Sequence, residues 1–190
     1  MFMQNLPRYP QRFSDLPKWE TPKNISPEIV HQWEQRACGL ACLRSLLEYY
    51  NLPVPSQWSL IKEAQSIKAF SPQGILHKKL VLLAEKHGLS GVTLATNNEF
   101  EIFELSRKID LPAIISVKHK LPSNSPQKGG HLVVVKSTEK VNSVLLSDPS
   151  HWGKDYPVLP VTQFSSYSGR SIIIAPPMRV KKFMEEFKTQ

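Results

Sequence analysis

The chain has 190 residues, of which 41% are hydrophobic and 21% charged, and this composition predicts one globular domain with a sizeable core. No apolar run approaches the roughly 20 residues of a membrane-spanning helix, and the first residues lack the basic and apolar regions of a signal peptide. We therefore expect a cytoplasmic protein without a membrane span. The net charge of +8 comes from scattered lysines, so no nucleic acid partner is expected, although an acidic substrate stays open.

The first segment, residues 1–27, is rich in proline and in turn dipeptides. This pattern predicts an extended arm and not a domain. A strongly helical pattern follows at residues 38–50, where leucines recur at core spacing. Three further helices are expected at residues 57–67, 74–87 and 98–108. Gly88 is expected to end the helix at 74–87, and Asn98 is expected to cap the helix at 98–108.

Short β-rich runs dominate the second half of the chain. Strands are expected at residues 91–95, 113–117, 132–136, 143–146 and 171–174. Helices thus come first and strands second, which is typical of an α+β fold with an N-terminal helical half packed on a C-terminal antiparallel sheet. This domain is expected at residues 28–176, and a basic C-terminal tail is expected at residues 177–190.

The start of the first predicted helix carries the strongest chemical signal. Gln32 stands six residues before Cys38, which is followed by Gly39 and opens the helix. A helix N-terminus favours negative charge, so a thiol there loses its proton more easily. A glutamine that arrives from the preceding loop can donate a hydrogen bond to a developing oxyanion. The pattern therefore predicts Cys38 as a nucleophile and Gln32 as the oxyanion donor, with Gln35 as a competing donor.

A cysteine nucleophile needs a general base and a group that orients this base. His131 follows Gly130 at the head of an apolar strand, and Asp148 precedes Pro149 after the next strand. The chain order Cys, His, Asp is that of papain-like enzymes. Each residue also has a structural interpretation: Cys38 as a buried thiol, His131 as a strand-edge histidine and Asp148 as a turn former.

No metal or cofactor is expected. The second cysteine, Cys42, lies four residues after Cys38, and no second pair of Cys or His residues has the spacing of a zinc site. A disulfide is not expected either, because two side chains one helical turn apart do not meet in the required geometry. Cys42 is instead predicted to pack in the core.

The segment from Gln32 to Tyr50, together with Gly130-His131 and Asp148-Pro149, resembles the C39 group of papain-like cysteine peptidases. That group includes the leader-peptide-cleaving domains of bacteriocin-exporting ABC transporters and free-standing C39-like proteins. The sequence departs from the transporter domains at Ala37, where Asp or Asn is common, and at Leu132, where an aromatic residue is common.

The resemblance implies a papain-like fold and a bacterial thiol protease that cleaves a peptide or protein substrate, such as a leader or a propeptide. It makes Cys38 the nucleophile that forms an acyl-enzyme, and His131 the general base and acid. It makes Asp148 the residue that orients the imidazole. Gln32 and the backbone N–H of Cys38 would form the oxyanion hole.

Two other functions stay open at this point. An acyl or peptidyl transferase would form the same acyl-enzyme and resolve it with an amine instead of water. A non-catalytic module would bind a peptide without attacking it. The sequence leaves the oligomeric state open.

Overall fold

The computed structural model describes residues 6–96, 99–119, 121, 128–138, 142–164 and 167–189. The α-helices in these ranges are α1 (Pro27–Glu34), α2 (Cys38–Tyr49), α3 (Gln57–Ser66), α4 (His77–Lys86), α5 (Glu99–Lys108) and α6 (Pro177–Lys188). The strands are β1 (Phe70–Ser71), β2 (Gly74–Ile75), β3 (Ser90–Ala95), β4 (Ala113–His119), β5 (Lys128–Ser137), β6 (Ser143–Ser147), β7 (Val158–Pro160) and β8 (Tyr167–Ala175). None of the described helices is long and apolar enough to cross a membrane.

The strands form a small hairpin, β1–β2, and a six-stranded antiparallel sheet in the order β3-β8-β4-β5-β6-β7. One face of this sheet packs on α2 and α4, with α3 packed behind them in the same core, and the other face packs on α5 and α6. Side chains alternate between the two faces along each strand; on β5, for example, Val134 belongs to the first core and Val133 to the second. The predicted α+β fold, with a helical half packed on an antiparallel sheet, is confirmed.

Two expectations for individual elements are wrong. The helix expected from residue 74 begins at His77, because Gly74 has a φ of +124°, which no helix accepts, and pairs as a strand with Ser71. The segment expected as a basic tail forms α6, which begins after Pro176 with Pro177 in its first turn and buries Val180 and Phe183. The proposed cap Asn98 lies outside the described residues.

The N-terminal arm, which the structure describes from residue 6 to residue 26, has two 3₁₀ turns at Phe13–Asp15 and Lys18–Glu20 and a further turn at residues 23–25, and forms no α-helix or strand. It packs against the domain and contributes the side chains of Leu6 and Phe13 to the core beside α2.

The sheet brings together the segments that carry the predicted site. The helix α2 packs directly on β5, which places Cys38 close to the strand of His131. The register pairs Val134 of β5 with Ser147 of β6. Asp148 follows Ser147 immediately, so it lies beside the part of β5 that holds His131.

Candidate active site

Cys38 is the first residue of α2, and only 9% of its surface is exposed. The preceding residue, Ala37, has no side chain that can accept a hydrogen bond from the first turn. The N–H groups of the first turn therefore have no side-chain acceptor at the cap, and the backbone N–H of Gly39 favours the charged form of the thiol and lowers the pKa of Cys38.

Both cysteines of α2 contact the backbone of one residue on β5. The backbone N–H of Leu132 lowers the pKa of Cys38, and the S–H of Cys42 donates to the carbonyl oxygen of Leu132 over 3.3 Å. Two side chains four residues apart on a helix lie one above the other, so both cysteines of α2 face the backbone of β5 at Leu132. Cys42 is 1% exposed, which confirms the prediction that it packs in the core.

His131 is buried, and its ring contacts both of the other predicted triad residues. Its Nε2 lies 2.7 Å from Oδ1 of Asp148, and the ring also shares a hydrogen bond with Cys38. Since Nε2 is engaged by the carboxylate, Nδ1 is the nitrogen that remains for the thiol.

Asp148 is completely buried. Its Oδ1 accepts hydrogen bonds from His131 and from the backbone N–H of Ser150, which is 2.8 Å away. Its Oδ2 is buried and has no hydrogen-bond partner among the described residues. Gly153 packs against this side chain so closely that a Cβ at position 153 would lie 2.6 Å from Cγ and from the backbone oxygen of Asp148.

The three groups shift one another's pKa values toward an ion pair. Burial alone raises the pKa of Cys38, but the hydrogen bond and charge of His131, together with the N–H groups of Leu132 and Gly39, lower it below its usual value. Burial alone lowers the pKa of His131, but the charge and hydrogen bond of Asp148, together with Cys38, raise it to about 10. Burial also opposes ionisation of Asp148, yet His131 keeps the pKa of this carboxyl below its usual value. The site therefore favours a thiolate beside an imidazolium.

An open cleft of about 980 Å³ leads to Cys38 and His131. Its walls come from the β1–β2 hairpin, the start of α4, the edge strand β3 and the ends of β5 and β8. Three of its described lining residues carry a permanent positive charge, namely Lys78, Lys79 and Arg170, and none of the described lining residues is acidic. Burial and the nearby Arg170 lower the pKa of His77 in the same wall.

The expected position of Gln32 on a loop is wrong. Gln32 lies on α1, where it is exposed and does not line the cleft. This helix is capped by Ser26, whose hydroxyl accepts a hydrogen bond from the N–H of Ile29, and begins at Pro27. The sequence Ser26-Pro27-Glu28 is a helix-start signal that could have predicted α1. The contribution of Gln32 to an oxyanion hole stays a prediction.

Other features of the site have weak or no sequence signals. The backbone of Leu132 and the close approach of Gly153 are contacts that depend on packing across the fold. Among the described residues, no group of three or more His, Cys, Asp or Glu side chains could hold a metal ion.

Comparisons with known proteins identify the family and the fold of this chain. The model of the peptidase C39 family matches residues 26–179. The peptidase domain of Streptococcus ComA, a bifunctional ABC transporter involved in quorum sensing, is 23% identical, with 74% of this chain and 92% of that chain covered and a TM-score of 0.54. The N-terminal peptidase C39-like domain of the toxin secretion ATP-binding protein from Vibrio parahaemolyticus is 20% identical, with 73% and 96% covered and a TM-score of 0.51. A comparison with curated proteins finds no match.

The fold and the family match define a papain-like cysteine peptidase, a hydrolase that acts on peptide bonds. The chain belongs to the peptidase C39 family, whose model covers most of its length.

Proposed function

We propose that this peptidase uses Cys38, His131 and Asp148 as a catalytic triad and cleaves a peptide or protein substrate, such as a leader or a propeptide, through a covalent acyl-enzyme. The observation that carries the proposal is the position of the His131 ring, which contacts Cys38 and the carboxylate of Asp148 at once. A histidine that only stabilised a strand edge would not need both contacts.

In the first half of the proposed reaction, the sulfur of Cys38 attacks the carbonyl carbon of the scissile bond, and the electron pair of the C=O bond moves to oxygen. The backbone N–H of Cys38, which has no helical acceptor because Cys38 is the first residue of α2, donates to this oxygen. Gln32 is the proposed second donor. The electron pair on oxygen then re-forms the C=O bond, the C–N bond breaks, and Nδ1 of His131 gives its proton to the leaving amine, which leaves a thioester on Cys38.

In the second half, water attacks the thioester carbonyl and His131 takes its proton. The C–S bond breaks, the carboxylic acid product leaves, and the thiolate–imidazolium pair is restored. Asp148 holds the proton on Nε2, so the tautomer that faces Cys38 stays correct throughout. In this proposal the carboxylate is not protonated in any step.

A peptide library analysed by mass spectrometry tests this proposal. We expect the wild type to produce new peptide carboxylates and, after rapid quenching, a protein whose mass is increased by one acyl fragment on Cys38. Cys38→Ser and His131→Ala should give neither signal. An acyl fragment that appears on an added amine instead of a new carboxylate would indicate a transferase. Peptide binding without products or an adduct would indicate a binding module.

We also propose that the protein works in the cytoplasm. Both cysteines are free, and the proposed nucleophile must stay reduced to act. A reducing compartment keeps such thiols available.

A further inference from the structure

The N-terminal arm lies before the region that the family model matches, yet it is firmly attached to the domain. Leu6 and Phe13 are buried in the core beside α2. Glu20 forms an ion pair with Arg44 of α2 over 2.6 Å, and both side chains are only 3% exposed. The other carboxylate oxygen of Glu20 accepts the backbone N–H of Gln57 over 3.0 Å. The arm is therefore fixed to the helical half of the domain near both of its ends.

Between these contacts, the arm crosses the loop that follows β6. Nε of Arg8 donates to the carbonyl oxygen of Asp148 over 2.7 Å, and Nη2 donates to the carbonyl oxygen of Ser150 over 2.6 Å. The backbone N–H of Gln11 donates to the carbonyl oxygen between them, that of Pro149, over 2.9 Å. Three consecutive carbonyl groups of the loop thus receive hydrogen bonds from the arm.

The geometry of the arginine matters for this contact. A guanidinium group is planar and its donors are fixed relative to one another, so two bonds from one group set the orientation of the loop as well as its distance. A second pair supports the same loop from the arm, because Nδ1 of His151 lies 3.3 Å from Oδ2 of Asp15.

The loop that is held in this way carries the carboxylate that contacts His131. Only one oxygen of that carboxylate has a described hydrogen-bond partner, since Oδ2 of Asp148 has none among the described residues. The orientation of the side chain therefore depends on where its own backbone lies, with Gly153 packed against it. A displaced loop would carry the carboxylate out of line with the imidazole.

We propose that the N-terminal arm is part of the active-site scaffold, and that Arg8 is a positioning residue which holds the Asp148 carboxylate in line with Nε2 of His131. The inference rests on the proposed triad. Arg8 acts through the backbone of Asp148 and Ser150 and does not itself take part in the reaction.

The test compares Arg8→Met with the wild type. Methionine keeps an unbranched side chain at this half-buried position but removes both donors. We expect the rate at which iodoacetamide alkylates Cys38 at about pH 6 to fall roughly tenfold or more, because small misplacements in a reactive pair are costly. We also expect the pH profile of alkylation to move to higher pH, since a misaligned His131 stabilises the thiolate less. A purely structural contact would lower the unfolding temperature without moving this profile.

Arg12→Met is the matched control, because Arg12 is a half-buried arginine of the same arm with no hydrogen bond to the described residues of the loop. Its alkylation profile should match that of the wild type. Arg8→Lys keeps the charge but has one nitrogen where two carbonyls need donors, so it should recover less than half of the lost rate. Arg8→Lys also decides the question if Arg8→Met does not fold.

A folded Arg8→Met variant with the rate and pH profile of the wild type would overturn the proposal, and so would complete recovery in Arg8→Lys. These outcomes differ from failure of the triad itself. If the triad is wrong, Cys38 of the wild type reacts slowly and is insensitive to His131→Ala. If only the role of the arm is wrong, Cys38 is reactive, depends on His131, and does not respond to changes at Arg8.

Discussion

Gly39, which follows the proposed nucleophile, has no room for a side chain. A Cβ at this position would lie 2.5 Å from Cγ2 of Ile75 and 3.0 Å from Cδ1 of Leu132. Leu132 adjoins His131, and its backbone lowers the pKa of Cys38. The pair Cys38-Gly39 therefore lets α2 approach β5 closely enough for the thiol and the imidazole to meet.

We expect Gly39→Ala to lower the free energy of unfolding by about 1–3 kcal/mol, as overpacked cores do, and to slow alkylation of Cys38. Chemical denaturation and alkylation rates measure the two effects. Gly130→Ala is the matched control, since Gly130 adjoins His131 on its other side and a Cβ added there would meet nothing within 4 Å. Equal effects of both substitutions would contradict this interpretation of Gly39.

Peptide turnover and thiol alkylation together can show whether Gln32 or Gln35 is the oxyanion donor. Turnover forms an oxyanion and alkylation of a thiol does not, so the loss of the donor should slow only turnover. We expect Gln32→Ala to lower peptide turnover by about 10²- to 10³-fold, the usual effect of losing one such donor, while alkylation of Cys38 stays unchanged. Gln35→Ala, at the end of the same helix, should leave both rates near those of the wild type. The reverse result would assign the donor to Gln35.

At the scale of secondary structure, the contact between α2 and β5 depends on Cys42. Its S–H donates a hydrogen bond to the carbonyl oxygen of Leu132, the residue whose backbone N–H lowers the pKa of Cys38. We expect Cys42→Ala to lower the free energy of unfolding by about 1–3 kcal/mol through the lost volume and the lost hydrogen bond. Amide hydrogen exchange at Leu132 should become faster. Unchanged stability and unchanged exchange would show that this contact contributes little.

The sequence predicted the elements with strong periodicity and missed those that depend on context. Apolar spacing predicts helices α2 and α3 and strands β3, β4, β5, β6 and β8. The bounds of these elements in the structure agree with the predicted bounds within a few residues. The helix α6 was missed because lysines separate its apolar residues along the sequence. In the structure, Val180 and Phe183 are buried, and Lys181 and Lys182 lie on the exposed side of the helix. The three-residue strand β7 was missed because a run this short contains no usable period.

The same limit applies to the site. Cys38, His131 and Asp148 could be predicted as candidates because each residue type stands next to a recognisable apolar or helical run in the sequence. Arg8 could not be predicted, because an arginine in a proline-rich segment gives no sign of which carbonyls it will reach across 140 residues of chain. Contacts of that kind are set by the tertiary fold alone.

At the scale of the whole molecule, the net charge is +8, and part of this positive charge lies in the walls of the cleft. Lys78, Lys79 and Arg170 line it, and none of the three has an ion-pair partner among the described residues. Exposed ion pairs contribute about 0.2–1 kcal/mol each. A peptide that places two acidic side chains here should bind roughly two- to thirtyfold more tightly than its neutral counterpart.

Binding of labelled peptides to Cys38→Ala measures this preference, with glutamate and glutamine peptides of equal length compared. Added salt should weaken the preference, and Lys78→Glu combined with Lys79→Glu should remove it. Lys181→Glu combined with Lys182→Glu changes the net charge by the same amount on α6, away from the cleft. This variant should keep the preference for the glutamate peptide. Equal binding of both peptides, or equal effects of the two double substitutions, would contradict the prediction.

The most direct test of the proposed triad is the pH dependence of thiol alkylation, with peptide mapping, in the wild type and in His131→Ala. A thiol with a lowered pKa is a thiolate at every pH above that value, so Cys38 should react quickly well below the usual thiol pKa of about 8.5, while Cys42 stays unreactive. In His131→Ala, the largest effect that opposes burial at Cys38 is lost, so the pKa of this thiol rises and the reaction should move to higher pH. Two slow cysteines with ordinary profiles in both proteins would contradict the proposed triad.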